Sequence, residues 1–188
     1  MKPQLGDTIL NRYTLVSSLR EEPGIQAWKA NDRVLAKDCQ LFIITDRSAF
    51  AAIDKLAGRI AATRPDRVIP ILKYRMESDV LLIVMPVDSG QCLTDYMVDT
   101  AKPLSYSAIR SIIGECADVL REVIADTPSG IVITTDTVRV TTSGVQIADA
   151  PCATMLADTS ATDLRTDGPE RYAIRQLAAL LYTLLTRT

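Results

Sequence analysis

Between residues 79 and 97 the chain changes the period of its hydrophobic pattern, and that limits what can lie on either side. Residues 80–85, VLLIVM, form a short and fully apolar run with Val and Ile in it, the pattern of a buried strand. Pro86 lacks a backbone donor and limits further pairing. Asp88, Ser89 and Gly90 then break the chain. Leu93, Tyr96 and Met97 follow as the apolar positions of a short amphipathic helix. Strand, tight crossing and short helix is what a hinge between two lobes needs; it is equally an ordinary strand and turn of an α+β domain. The residues before it read as sheet-rich, and those after it as helical.

The chain of 188 residues is long enough for one sizeable core or for two small lobes sharing one. It is 47% hydrophobic and 23% charged, with a net charge of −2, so it offers no basic field to nucleic acid. No apolar run approaches the roughly 18 residues of a membrane span, and the opening MKPQLGDT is not a signal peptide. Cys39, Cys92, Cys116 and Cys152 lie far apart with no CxxC pair, as expected of buried free thiols in a reducing compartment. Histidine is absent, which removes the commonest general base and the commonest zinc ligand together.

In the first half, Asn11 and Arg12 mark a turn, after which Tyr13, Leu15 and Ser17 alternate as one face of a strand. The EEPG turn at 21–24 leads to a second strand, 25–30, with Trp28 inward or over an edge. A polar connection precedes a third strand at 39–45. Residues 49–63 predict a helix whose apolar face is Phe50, Ile53, Leu56, Ala57 and Ile60, ended by Pro65. Residues 68–74 and 80–85 predict two further strands. The order is three strands, a helix and two strands.

In the second half Ser105 suits an N-cap. Ile109, Ile112, Ile113, Cys116, Leu120, Val123 and Ile124 then recur at helical spacing until Pro128 and Gly130. Two short strands are expected at 130–140 and 145–148. Residues 151–168 are polar and aperiodic, a surface loop rich in Thr, Ser and Asp. A last helix pattern covers 170–186, with no cap expected at Arg187 or Thr188.

The order of elements and several phrases resemble the eukaryotic-like Ser/Thr protein kinases of bacteria. GDTILNRYTLVSSL is similar to that family's first-strand opening, WKAND to its second strand, and VLLIVMPVDSGQCLTDYM to its fifth strand, hinge and following helix. GIV at 130–132 is similar to the entry to the catalytic loop. VQIADA at 145–150 is similar to the strand before the metal-binding Asp-Phe-Gly, and IRQLAALLYTLLT at 174–186 to the hydrophobic anchor helix of the C-lobe. The resemblance implies an α+β, protein-kinase-like two-lobe fold. Its N-lobe, residues 1–87, would be five-stranded and antiparallel with one helix. Its C-lobe, residues 88–188, would be helical and truncated, since the family's later helices have no counterpart.

Residue by residue, the resemblance implies lost chemistry. The turn that should cradle phosphates is REEPG, with one glycine, two carboxylates and a proline. Phe42 stands where the nucleotide-binding lysine is expected, and Lys55 where its glutamate partner is expected. Thr137 takes the place of the metal-binding asparagine, and the base aspartate has no clear counterpart, since Asp136 aligns better with the acidic residue before the asparagine. Asp149 matches the metal aspartate but is followed by Ala150 and Pro151; by itself it also suits a turn residue capping a strand. The chain is therefore expected to be a pseudokinase, with no catalytic residues, cofactor or metal. Within that fold the chain resembles the pseudokinase domain on the cytoplasmic side of actinobacterial MviN-type (MurJ-type) peptidoglycan-precursor flippases.

That family implies phosphorylation on threonine by a true Ser/Thr kinase and recruitment of a forkhead-associated (FHA) protein. Thr154, Thr159, Thr162 and Thr166 are the candidate phosphosites in the polar loop, and a plain hydrophilic loop is the alternative. Ile174, Leu177, Leu181, Leu184 and Leu185 cover more than one face of the last helix and form the candidate interface with a partner or a second copy. Two other readings stand beside the scaffold. One is an atypical kinase or nucleotide-binding switch that uses Asp149 with Lys37 or Lys29. The other is an α+β domain of an unrelated kind.

Overall fold

The computed structural model describes residues 3–77, 79–98, 103–126, 131–156 and 168–187. The chain divides into two compact units: Met1–Ala61 with Pro70–Val87, and Ala62–Ile69 with Asp88–Thr188. The fold is α+β, with a curled six-stranded antiparallel half-barrel sheet in the first unit and a small three-stranded sheet in the second. Four helices of six or more residues are formed among the described residues.

The first unit begins with β1 (Thr8–Ile9), β2 (Tyr13–Glu22), β3 (Ile25–Asp32) and β4 (Lys37–Ile44), followed by α1 (Arg47–Thr63). It ends with β5 (Lys73–Met76) and β6 (Leu81–Pro86), and the strands lie in the order β1-β2-β3-β4-β6-β5. The sheet has six strands where the sequence pattern gave five, because β1 is a two-residue strand too short to show a period. Tyr13 and Leu15 face inward as expected, but Ser17 is exposed. Register shifts at Val16 and Leu19 insert an extra residue twice in β2, which reverses the alternation and bends the strand.

β4 and β6 are buried on both faces, so they read as continuous apolar runs. Tyr13, Leu15, Trp28, Cys39, Leu41 and Val84 belong to the buried cluster on one face. α1 comes against the other: a Cβ built on Gly58 would lie 3.4 Å from Tyr74 Oη, and Tyr74 is in register with Ile83 and through it with Phe42. All five predicted apolar positions of α1 are buried, each worth about 1.5–3 kcal/mol for the larger side chains. Asp46 caps the helix, its Oδ1 accepting from the Ser48 amide at 2.9 Å.

Residues 68–74 do not form one strand. Pro70 interrupts them, and only Lys73 onward pairs with β6. Val68 instead bridges Ile147 in the parallel sense, with the Ile69 amide donating to the Ile147 carbonyl at 2.9 Å and the Ile147 amide to the Arg67 carbonyl at 2.7 Å. This pairing ties 62–69 to the second unit.

The second unit holds β7 (Gln91–Cys92), α2 (Leu93–Val98), α3 (Tyr106–Asp126), β8 (Val138–Thr141) and β9 (Gly144–Ile147). The single turn α4 (Ala153–Leu156) and the long helix α5 (Pro169–Thr186) complete it. Ser105 Oγ accepts from the Ala108 amide at 3.1 Å and caps α3. Ile109, Ile112, Cys116, Val119, Leu120 and Val123 are buried along it, Ile113 is half-buried, and the Ile124 side chain is outside the described residues. Residues 131–133 are buried but not a strand, so the expected strand at 130–140 reduces to β8. α5 ends with Arg187 in the left-handed conformation, φ 59°, its amide donating to Thr183 O at 2.8 Å. It therefore has the backbone C-cap that the sequence did not suggest.

Candidate functional site

Each position singled out by the kinase resemblance sits in a defined environment within its own unit. Phe42 lies in the middle of β4 and is 1% exposed, between Ala27 and Ile83 across the ladders. Lys55 is on the exposed side of α1. The REEPG turn is closed and tight. β2 runs to Glu22 and β3 starts at Ile25, so Pro23 and Gly24 alone make the turn. Gly24 has φ 81°, and a Cβ there would lie 2.7 Å from Asp46 Cβ. The Gly24 carbonyl accepts from the amides of Thr45 and Asp46 at 2.8 and 3.2 Å. The turn is thus clamped to the start of α1, with Glu21 and Glu22 flanking it, and offers no loose loop of amides to an anion.

The two lysines of the atypical-kinase reading have other surroundings. Lys29 Nζ pairs with Asp38 Oδ2 at 2.9 Å. Lys37 and Phe42 are five residues apart in a strand with no bulge against β3 or β6, so their side chains leave opposite faces of the sheet.

Thr137 is buried and its hydroxyl is engaged locally. It donates to Val132 O at 2.8 Å and accepts from the Thr134 amide at 2.9 Å, closing the turn before β8. The Thr137 carbonyl takes the Ala148 amide at 2.8 Å. Asp149 has φ 62° and its carbonyl accepts from the Cys152 amide at 2.6 Å, so its backbone makes the turn after β9.

The Asp149 carboxylate is not left as an open anion. Arg139, on β8, reaches it with Nη2 at 4.0 Å. The same guanidinium donates through Nε to Asp88 Oδ2 and through Nη1 to the Asp136 carbonyl, and approaches Cys92 Sγ at 3.3 Å. All three charged side chains are largely buried. Burial opposes the Arg139 charge, but Asp88, Cys92 and Asp149 outweigh it and raise its pKa. Asp136 turns its carboxylate to the Thr94 hydroxyl at 2.7 Å. Arg139 is not legible in the sequence, because VRV reads as an ordinary strand with its arginine turned away from the valines. Among the described residues, no three His, Cys, Asp or Glu side chains converge as a metal site would require.

Of the candidate phosphosites, Thr154 lies in α4, whose Thr154 side chain is outside the described residues, as are Thr159, Thr162 and Thr166 altogether. The candidate interface divides. Leu184 is 4% exposed and belongs to the core. The buried side of the helix also holds a polar residue, Gln176. Its Oε1 accepts from the Ile133 amide at 2.5 Å, and its Nε2 donates to Ile131 O at 3.3 Å. Leu177 is half-buried, while Ile174, Leu181, Tyr182 and Leu185 are exposed, Ile174 by 65% and Tyr182 by 64%.

No helix among the described residues is long and apolar enough to cross a membrane. No protein-family model matches the chain, and no curated protein matches it by sequence.

Proposed function

We propose that this chain is a catalytically inactive, protein-kinase-like domain that works as an interaction scaffold. The single observation that carries the reading is the pairing of Asp149 and Asp88 with Arg139. A magnesium-nucleotide site needs a carboxylate free to take the cation, and here the carboxylate that the resemblance offers already has the Arg139 guanidinium 4.0 Å away. Phe42 in place of the lysine, the engaged hydroxyl of Thr137 and the clamped REEPG turn point the same way. Apart from the two-residue β1, the strands β2 to β4, the helix α1 and the strands β5 and β6 follow the order on which the resemblance rests, which supports the two-lobe kinase-like assignment.

The regulatory side of the proposal is phosphothreonine-dependent recruitment of an FHA-domain protein after modification by a true Ser/Thr kinase, on the cytosolic side and linked to peptidoglycan synthesis. A phosphothreonine at Thr154, Thr159, Thr162 or Thr166 would add about −1.5 to −2 charges, which an arginine-lined pocket can read. The exposed apolar side of α5, with Ile174, Leu181, Tyr182 and Leu185, is the surface proposed for a partner protein or a second copy.

Calorimetric titration with magnesium-ATP, with radiolabelled phosphoryl transfer alongside it, tests the first part. No measurable binding and no incorporation are expected. Low-micromolar binding, or incorporation that disappears in Asp149→Asn, would establish the atypical-kinase reading instead. Mass spectrometry after treatment with a cognate kinase, followed by capture on an immobilised FHA domain, tests the regulatory part. Phosphorylation confined to other regions would overturn it.

A further inference from the structure

On the Tyr13 face of the first unit's sheet lies a cavity of about 560 Å³ that the scaffold reading does not use. Its floor is apolar: Tyr13, Cys39 and Val84 are members of the buried cluster on that face. Leu35 and Leu72 stand at its sides and are exposed. The carboxylates around it are already engaged. Asp32 is held by Arg12, and Asp38 by Lys29 and Asn31.

Two cations on the rim have no carboxylate partner among the described residues. Lys37 lies two residues before Cys39 on the same face of β4, and Lys73 lies opposite Val84. Both are exposed. The lining is drawn from five strands, β2 to β6, so it surrounds a compact ligand rather than an extended peptide. The volume falls within the roughly 300–1,000 Å³ of small-molecule sites, which pair an apolar wall with a few placed polar groups.

We infer that this cavity binds a small amphipathic anion, a carboxylate or phosphate monoester carrying an apolar body. The head lies between Lys37 and Lys73, and the apolar body covers Tyr13, Cys39 and Val84 and shields Leu35 and Leu72 from water. Two cations above an apolar floor select against a neutral or cationic amphiphile of the same length, because only an anion gains at the rim what its body gains at the floor. The inference does not depend on the pseudokinase reading.

The test is titration of the ¹⁵N-labelled full chain with decanoate and with decyl phosphate, followed by amide shifts and calorimetry. Decanol and decyltrimethylammonium are the controls. The anions are expected to bind about tenfold or more tighter than either control, with shifts centred on Tyr13, Cys39, Leu72 and Val84. The tighter of the two anions identifies the head group. Lys37→Glu with Lys73→Glu should weaken the anions by about tenfold or more, and Lys55→Glu, on α1, should not. If the charge-reversed pair fails to fold, Lys37→Met with Lys73→Met carries the same expectation. Equal binding of the cationic amphiphile, shifts centred on α5, unchanged affinity in the double variant, or no saturable binding would each overturn the inference.

Discussion

Asp32 receives both Nε and Nη2 of Arg12, at 2.9 and 2.6 Å, and its Oδ1 also accepts from the amides of Val34 and Leu35. One carboxylate therefore joins the start of β2, the end of β3 and the turn into β4. Arg12 also stands 5.2 Å from the centre of the Tyr13 ring. Hydrogen bonding to the Arg12 guanidinium, chiefly, holds the Asp32 carboxyl at a pKa of about 2, against 3.8 for an ordinary aspartate. A depressed folded-state pKa gives stability that is present above the unfolded value and is lost as pH falls through the folded one. The melting temperature should therefore fall between about pH 4 and pH 2, beyond what other carboxylates contribute. Asp32→Asn should be less stable at pH 7 and show a shallower fall over that window. An unchanged slope in thermal melts of the variant would remove the pair from the acid response.

Gly144 and Gly114 should respond to alanine in opposite ways. Gly144 has φ 120°, and a Cβ there would lie 2.7 Å from Arg67 Nη1 and against Glu115 Oε2. Those two groups form an ion pair, and Glu115 Oε2 also takes the Val145 amide at 2.9 Å. Burial works against the Glu115 charge, yet the Val145 amide, Ser111 and Arg67 hold its carboxyl below the ordinary range. Gly144→Ala should cost on the order of 1–3 kcal/mol through backbone strain and displacement of the pair. Gly114, inside α3, has open space around it, so Gly114→Ala should stabilise by up to about 1 kcal/mol. Urea midpoints of the two variants give the comparison.

Arg139→Met keeps most of the side-chain volume but leaves Asp88 and Asp149 without their cation. Removing one partner of a largely buried pair is more costly than the pair is favourable, so a loss of about 3 kcal/mol is expected. Adding Asp88→Asn should restore part of it. A double variant no more stable than the single one would mean that the carboxylates find water instead.

On α5, neighbours in sequence should differ sharply. Leu184→Ala empties a core position and should cost about 2–5 kcal/mol. Leu185→Ala, on the exposed side, should change stability by no more than about 0.5 kcal/mol. If α5 carries the proposed contact, Leu185→Lys with Ile174→Lys should lower the mass seen by light scattering at high concentration, or abolish partner capture, without moving the melting temperature by more than a few degrees.

Gln176→Leu should destabilise even though it makes α5 more apolar. It leaves the Ile133 amide and the Ile131 carbonyl without their partner, at about 1–3 kcal/mol for a buried unsatisfied group. Denaturant unfolding would register it directly.

The sequence by itself determined the elements whose burial follows a simple period. The five apolar positions of α1, most of the buried residues along α3 (Ile109, Ile112, Cys116, Leu120 and Val123) and the apolar strands β4 and β6 were legible, because one hydrophobic face fixes one helix or strand orientation. It also determined the local stops: Pro23–Gly24, Pro65 and the Ser105 cap. Tertiary structure alone decided the remainder. The bulges at Val16 and Leu19 break the alternation that Tyr13 and Leu15 begin, and bend the strand. Val68 pairs with Ile147 across a long separation that no local pattern encodes. Gln176 is buried because residues 131–133 cross beneath α5 with backbone groups to satisfy, a demand invisible from its own helix. Arg139 meets Asp88 and Asp149 because β8 pairs with both β7 and β9 and brings the three together. Charge pairing between residues distant in sequence depends on the chain path, and only the folded chain supplies that path.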